Sequence, residues 1–440
     1  MHRFLKRLWI FTKLAIFLTV VGLLVTREYQ PPGAFSPAVN RLVAGDAFDF
    51  VGWEAGALDA KGAGMILPAP DYVSESRRKS LVLDYMKLVQ RIDTLQNEID
   101  DIYADPTVTN PAAASASRRA ELAQLREQQA AQQTTVETVV EQDISAILNE
   151  QGFALGGQII PPLRFRLTPL PQMLIVSPRD EIYQKDAFPL VAGLTTDRAE
   201  ELEAQIEQRF GDVSALVVPI GGLGIYPTML LESTSLEWTI HTAAHEWTHN
   251  WLELRPLGMN YEKSPETRTM NETTADIVGT EVGDMTLRQF FPELAPPPQP
   301  TATPGPKPTP APTPTRNPNV FDFNAEMHIT RVEVDRLLAE ARAAEKSGDK
   351  ATADARIQAA EDYMRGRRKV FVDQGYLIRK LNQAYFAFYG AYADQPGAAG
   401  ADPVGPAVKQ LRDRSPSLLA FLETISPMTS FAELKRALSE

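Results

Sequence analysis

The segment 241-HTAAHEWTHNWLEL-254 holds three of the chain's five histidines, spaced four residues apart, with a glutamate directly after the middle one. Its flanks mark it as a helix. Thr234 with Glu237 three residues on is a capping-box signature, and Pro256 and Gly258 close the other end. Between them Ile240, Ala244, Trp247, Trp251 and Leu254 form one apolar face. A helix from about 235 to 254 follows from these signals without any appeal to function.

On that helix His245 and His249 lie one turn apart on the same face, so both imidazoles can reach one ion. Glu246 projects about 100° around the helix. It is poorly placed as a ligand beside the two histidines and well placed to hold a water at the ion. This is the HExxH arrangement: two histidines for Zn²⁺ and a glutamate as general base for attack on a carbonyl. His241, one turn earlier, would as a fourth ligand close the position that hydrolysis needs open. It is expected to pack beside the site or contact substrate. His328, far downstream, reads as a surface or helix-start residue.

A third ligand is sought downstream. Metzincins would place glycine at 252 and histidine at 255, where this chain has Leu252 and Arg255. In 271-NETTADIVGTEVGD-284, Glu272 and Asp276 are four apart and share a helical face. Here the chain resembles the gluzincins, the thermolysin-like branch of zinc peptidases, whose second helix carries a glutamate ligand in an Asn-Glu-x-x-x-Asp context. The resemblance implies Glu272 as third ligand and Asp276 as the carboxylate that orients His245. It covers about fifty residues in all, and the gap from His249 to Glu272 is slightly longer than in the family.

Zincins also carry an edge strand before the histidine helix, where extended peptide binds by strand addition. The stretch 224-GIYPTMLLE-232 stands in that place, either as such an edge or as a hairpin in the core. The Gly-x-Met-x-Asn strand of the large aminopeptidases is missing. A donor to the developing oxyanion is expected too. Within 381-LNQAYFAFYGAYAD-394, Asn382, Tyr385, Tyr389 and Tyr392 share a helical face, with Tyr385 and Tyr389 as candidates and an aromatic packing stripe as the rival reading.

The remaining sequence frames this unit. A net charge of −12 and no basic patch beyond the N-terminus give nucleic-acid binding no support. The absence of cysteine excludes disulfides, thiolate ligands and a cysteine nucleophile. Residues 1–27 combine Arg3, Lys6 and Arg7 with a mostly apolar run from Leu8 to Thr26. They read as an uncleaved anchor with the rest outside the cytoplasm, or as a signal peptide. Residues 28–155 read as an irregular lead-in, to 71, and then a long helical hairpin whose partner is open. Residues 156–291 form the zincin-like core. The run 292–318, with 12 of the 34 prolines, cannot be helix or sheet. Residues 320–440 read as helices, among them 322–348, 350–373 and 376–393. The expected fold is α+β: a small sheet, an active-site helix and mostly helix elsewhere. The expected function is a membrane-anchored zinc peptidase acting on peptide or protein. The alternative is an inactive zincin-like envelope scaffold that works through its hairpin.

Overall fold

The structure, a computed structural model, describes residues 35–66, 74–104, 107–296, 321–390 and 403–439. The expected anchor at 1–27, Tyr392 and most of the proline run lie outside these residues. Among the described residues no helix is long and apolar enough to cross a membrane. The architecture is α+β, 66% helical with small sheets.

The lead-in is not irregular throughout: it holds α1 (Ser36–Val43) and α2 (Phe50–Ile66). The hairpin follows as α3 (Glu75–Ala104), a short α4 (Pro111–Ala114) and α5 (Ala116–Glu150). Near its tip a thin apolar seam of Ile92, Leu95, Ile99 and Leu122 joins α3 to α5, flanked by exposed pairs of Arg91 with Glu121 and Arg118 with Glu98. At its base Val82, Tyr85, Val139, Val140 and Ile144 join the main core.

Eight short strands come next, with a helix inserted among them: β1 (Ala154–Leu155), β2 (Gln158–Ile159), β3 (Phe165–Leu167), β4 (Gln172–Pro178), β5 (Asp186–Leu190), α6 (Thr196–Phe210), β6 (Val213–Pro219), β7 (Gly222–Leu223) and β8 (Thr228–Leu230). β1 and β2 form a small antiparallel pair. One three-stranded sheet has the order β5-β4-β6 and is antiparallel. Both its faces are buried, and its side chains alternate between two cores as the pleat requires. Leu174, Val176, Ala215 and Val217 pack towards α1 and α6. Ile175, Leu216 and Val218 pack towards the C-terminal helices α10 (Phe323–Lys346), α11 (Lys350–Asp373) and α12 (Gln383–Tyr389). Of the helix expected over 376–393, only Gln383–Tyr389, about two turns begun by Asn382 as N-cap, is helical among the described residues.

The second three-stranded sheet has the order β3-β8-β7. Thus 224–232 is not an edge. Its strand, β8, lies in the middle, parallel to β3 and antiparallel to β7. The β3 side is closed by carboxylates from α5: the Phe165 N–H donates to Glu141 Oε1 at 3.0 Å and the Leu167 N–H to Glu137 Oε1 at 2.9 Å. Side chains thus satisfy the outward-facing donors of that strand. Lys61 of α2 bridges both acids, at 2.7 Å from Glu137 and 2.6 Å from Glu141. β7 is the sheet's other margin.

The histidine helix is α7 (Leu236–Glu253). Its cap lies one residue later than expected: Ser235 Oγ accepts from the Trp238 N–H. Ile240, Ala244, Trp247 and Trp251 are buried, whereas Leu254 is exposed. Pro256 does stop α7, but it also opens a short α8 (Pro256–Met259). Then comes α9 (Pro265–Phe290), started by a Ser264–Thr267 capping box. α13 (Val404–Arg414), α14 (Leu418–Ile425) and α15 (Phe431–Ser439) finish the main core.

α7 and α9 pack closely where α9 has no side chain. A Cβ on Gly279 would lie 2.9 Å from the His241 carbonyl oxygen and 3.0 Å from His245 Cβ; one on Gly283 would lie 1.9 Å from the His241 ring. Replacing Lys61 with methionine would leave Glu137 and Glu141 buried with only the more distant Arg164 and Arg166 as counter-charges. The expected loss is about 3 kcal/mol in denaturant unfolding, against about 0.5 kcal/mol or less for Lys350→Ala in an exposed pair.

Candidate metal centre

The close approach of α7 and α9 sets the acids of one helix against the imidazoles of the other. His245 Nδ1 lies 2.9 Å from Asp276 Oδ1. His249 Nδ1 lies 2.8 Å from Asn271 Oδ1. Each of these oxygens accepts a hydrogen bond from the ring N–H, so each neutral imidazole carries its hydrogen on Nδ1 and presents the Nε2 lone pair. The two Nε2 atoms face one another at 3.0 Å. Glu272 Oε2 stands 3.6 Å from one and 3.5 Å from the other, buried and without a hydrogen bond of its own. Three lone-pair donors therefore converge with no hydrogen among them in the neutral tautomers, an arrangement that repels itself unless positive charge sits in the middle.

Electrostatics say the same. Burial lowers the basicity of His245, but Asp276 and Glu272 outweigh it and hold the imidazole well above its ordinary pKa. Burial likewise opposes protonation of His249, and Glu272 reverses that too. Burial would raise Glu272, but His249 and His245 hold its carboxyl well below the usual range. The trio draws positive charge to itself. His245, His249 and Glu272 are the group among the described residues that can hold a metal ion, their ligand atoms all within 4.8 Å of one another.

The other carboxylate oxygen is fixed as well. The Tyr261 hydroxyl donates to Glu272 Oε1, and its ring lies edge-on to His249 at 6.1 Å. Burial raises the phenol's pKa well above its ordinary value, so it remains a donor. Sequence reading missed Tyr261, which sits in the connection between helices and carries no periodic signal. Asn271 stands in the quoted motif, but its bond to His249 appears only once α9 is placed against α7.

Glu246 lies against the backbone at β7. A Cβ on Gly222 would lie 2.3 Å from Glu246 Oε1, and one on Gly224 would lie 3.3 Å from Oε2 and 3.3 Å from His249 Cβ. Two glycines thus let the strand backbone run against the glutamate and the histidine. Burial raises the Glu246 pKa, with His245 and His249 opposing. Asn250, another residue that sequence reading passed over, ties the same helix to the sheet by donating to Thr228 Oγ1 at 3.2 Å.

The remaining candidates make other contacts. His241 makes a separate pair, Nε2 to Asp284 Oδ1 at 3.2 Å, with Arg288 on the other oxygen of Asp284. Tyr385 and Tyr389 meet at a tilt, ring centres 4.6 Å apart, in the core where the C-terminal helices face the β5-β4-β6 sheet. Among the described residues no hydrogen bond or ring contact joins either to the trio. His328 belongs to α10.

Removing an orienting partner leaves the ligands in place but lets their rings turn. Asp276→Ala and Asn271→Ala are each expected to weaken metal binding about 10- to 100-fold in chelator-competition titrations. Affinity should also climb with pH beyond about 6.5, where free imidazole is already neutral, because the raised His245 pKa keeps a proton in competition with the ion.

Comparison with protein-family models, with curated proteins and with solved structures gave no significant match to this chain.

Proposed function

We propose that the protein is a zinc-dependent peptidase, held to a membrane by residues 1–27 with its catalytic part outside the cytoplasm. The convergence of His245 Nε2, His249 Nε2 and Glu272 Oε2 carries this reading. A triangle with edges of 3.0, 3.5 and 3.6 Å has a centre about 2.0 Å from every corner, within the ~2.0–2.2 Å bond range of imidazole and carboxylate ligands to zinc. Calcium and magnesium prefer all-oxygen sets, and calcium sits farther from its ligands at about 2.3–2.6 Å. The same donor set serves iron(II) oxygenases. Glu246, a further buried carboxylate beside the trio and against a strand margin, favours hydrolysis.

Zinc held there would supply a Lewis acid that brings the pKa of a water towards ~7. The chain's own residues do the rest. Glu246 accepts the proton of the attacking water and returns it to the leaving amine; its raised pKa suits a group that must hold a proton for part of the cycle. Gly222 and Leu223 offer a backbone margin on which an extended peptide can lie as an added strand, with its carbonyls brought beside Glu246. The histidine side chains keep 16% and 18% of their surface exposed, so the group lies at the margin of the core. The phenol at this group is Tyr261 rather than Tyr385 or Tyr389. We assign it the task of holding Glu272 in its ligand rotamer.

The alternative, a metal-stabilised scaffold acting through the α3–α5 hairpin, is separated by one pair of variants. Glu246→Gln should retain stoichiometric zinc and lose cleavage of a broad peptide library about 10²- to 10⁴-fold. Glu272→Ala should lose both. Wild-type protein that holds zinc and cuts nothing in the library would favour the scaffold. A milder check is Gly222→Ala: the new methyl displaces the Glu246 carboxylate without touching a ligand, so activity should fall while zinc remains.

A further inference from the structure

β7 has two sides. Gly222 meets Glu246 on the side of α7. The next residue, Leu223, packs on the opposite side against Leu170, Ile225 and Met229. Phe48, Phe50 and Trp53 pack on those same three residues, from the start of α2 and the segment before it. All three aromatics, with Leu223 and Ile220, stay only partly buried. They are fixed in place: Phe48 and Phe50 meet edge-on at 4.9 Å, and Trp53 Nε1 donates to Thr168 Oγ1 at 3.2 Å. The Phe48 N–H donates to the Pro189 carbonyl at 3.1 Å, which ties the segment to β5.

A peptide added to β7 as a strand points alternate side chains to opposite faces. One set faces α7 and the trio. The other set faces the aromatics. We propose that Phe48, Phe50 and Trp53 form the wall of a substrate subsite that selects large apolar side chains at every second position around the scissile bond. The occupant is the extended substrate itself, because the wall continues the face of the strand that borders Glu246. The proposal rests on the peptidase reading above and adds its substrate class: extended peptides with aromatic or branched aliphatic residues in alternation. Rigid aromatic surface that is already positioned binds an apolar side chain at low ordering cost.

The test is cleavage of a randomised decapeptide library, read by mass spectrometry, with zinc-loaded full-length wild type and the variants Phe50→Ala, Trp53→Ala and Phe50→Glu. Zinc content and unfolding midpoint are measured for each. Wild type should enrich Phe, Tyr, Trp and Leu at one position next to the cut and again two residues away. Each alanine variant should lower that enrichment about ten-fold, through KM rather than kcat. Phe50→Glu should turn the same position towards Lys and Arg, a gain that misfolding cannot mimic. Unchanged preferences in all three variants, with cleavage intact, would overturn the wall and leave the peptidase standing. Failure of wild type to cut any member would overturn the peptidase reading and the wall with it.

Discussion

Two imidazole nitrogens 3.0 Å apart, each with its proton turned outward to an acceptor, confront a buried carboxylate oxygen that has no hydrogen bond. Left as neutral rings and an anion, this is an unfavourable cluster: lone pairs face lone pairs around a carboxylate that is itself buried. A cation between them turns the same geometry into a stabilising one. The binding energy of such an ion is in part folding energy, because the unfolded chain has no comparable site. The trio is therefore a condition on how α7 and α9 pack.

The surrounding structure meets that condition step by step. Gly279 and Gly283 remove the side chains that would hold the two helices apart. Asn271 and Asp276 then fall opposite the two Nδ1 atoms, and Tyr261 reaches Glu272 from the connecting segment. On the other side of α7, Trp247 fixes the helix by donating to the Pro161 carbonyl at 2.8 Å and packing edge-on against Phe153. The small sheet is closed at β3 by Glu137 and Glu141 and meets the site at β7. On the proposed reading, this strand margin beside a buried carboxylate is where an extended chain would be held and attacked.

Much of the centre was legible in the sequence because it is local. Spacing of four on one helix puts His245 beside His249, and spacing of four on the next puts Glu272 above Asp276. The helices expected over 322–348 and 350–373 also fall within a few residues of α10 and α11. What stayed hidden depends on contacts between segments. Strand β8 carries β-branched and apolar residues whether it is central or at an edge, so the margin at β7, only two residues long, could not be read. Tyr261 lies in a connection with no period. Tyr385 and Tyr389 show the helical spacing of a site and the same spacing as a packing stripe, and the structure puts them in a core. Asn382 was noted for its face, whereas its side chain caps α12. The lead-in was read as irregular because glycine and aromatics interrupt it, although Phe50–Ile66 forms a helix that brings Lys61 to two buried acids.

X-ray absorption at the zinc edge of the purified, zinc-loaded full-length protein tests the central claim most directly. The account predicts a first shell of about four nitrogen and oxygen ligands near 2.0 Å, with the outer-shell scattering of two imidazoles, and loss of that shell in Glu272→Ala. A spectrum of octahedral oxygen ligands without imidazole scattering, or one unchanged by Glu272→Ala, would contradict it.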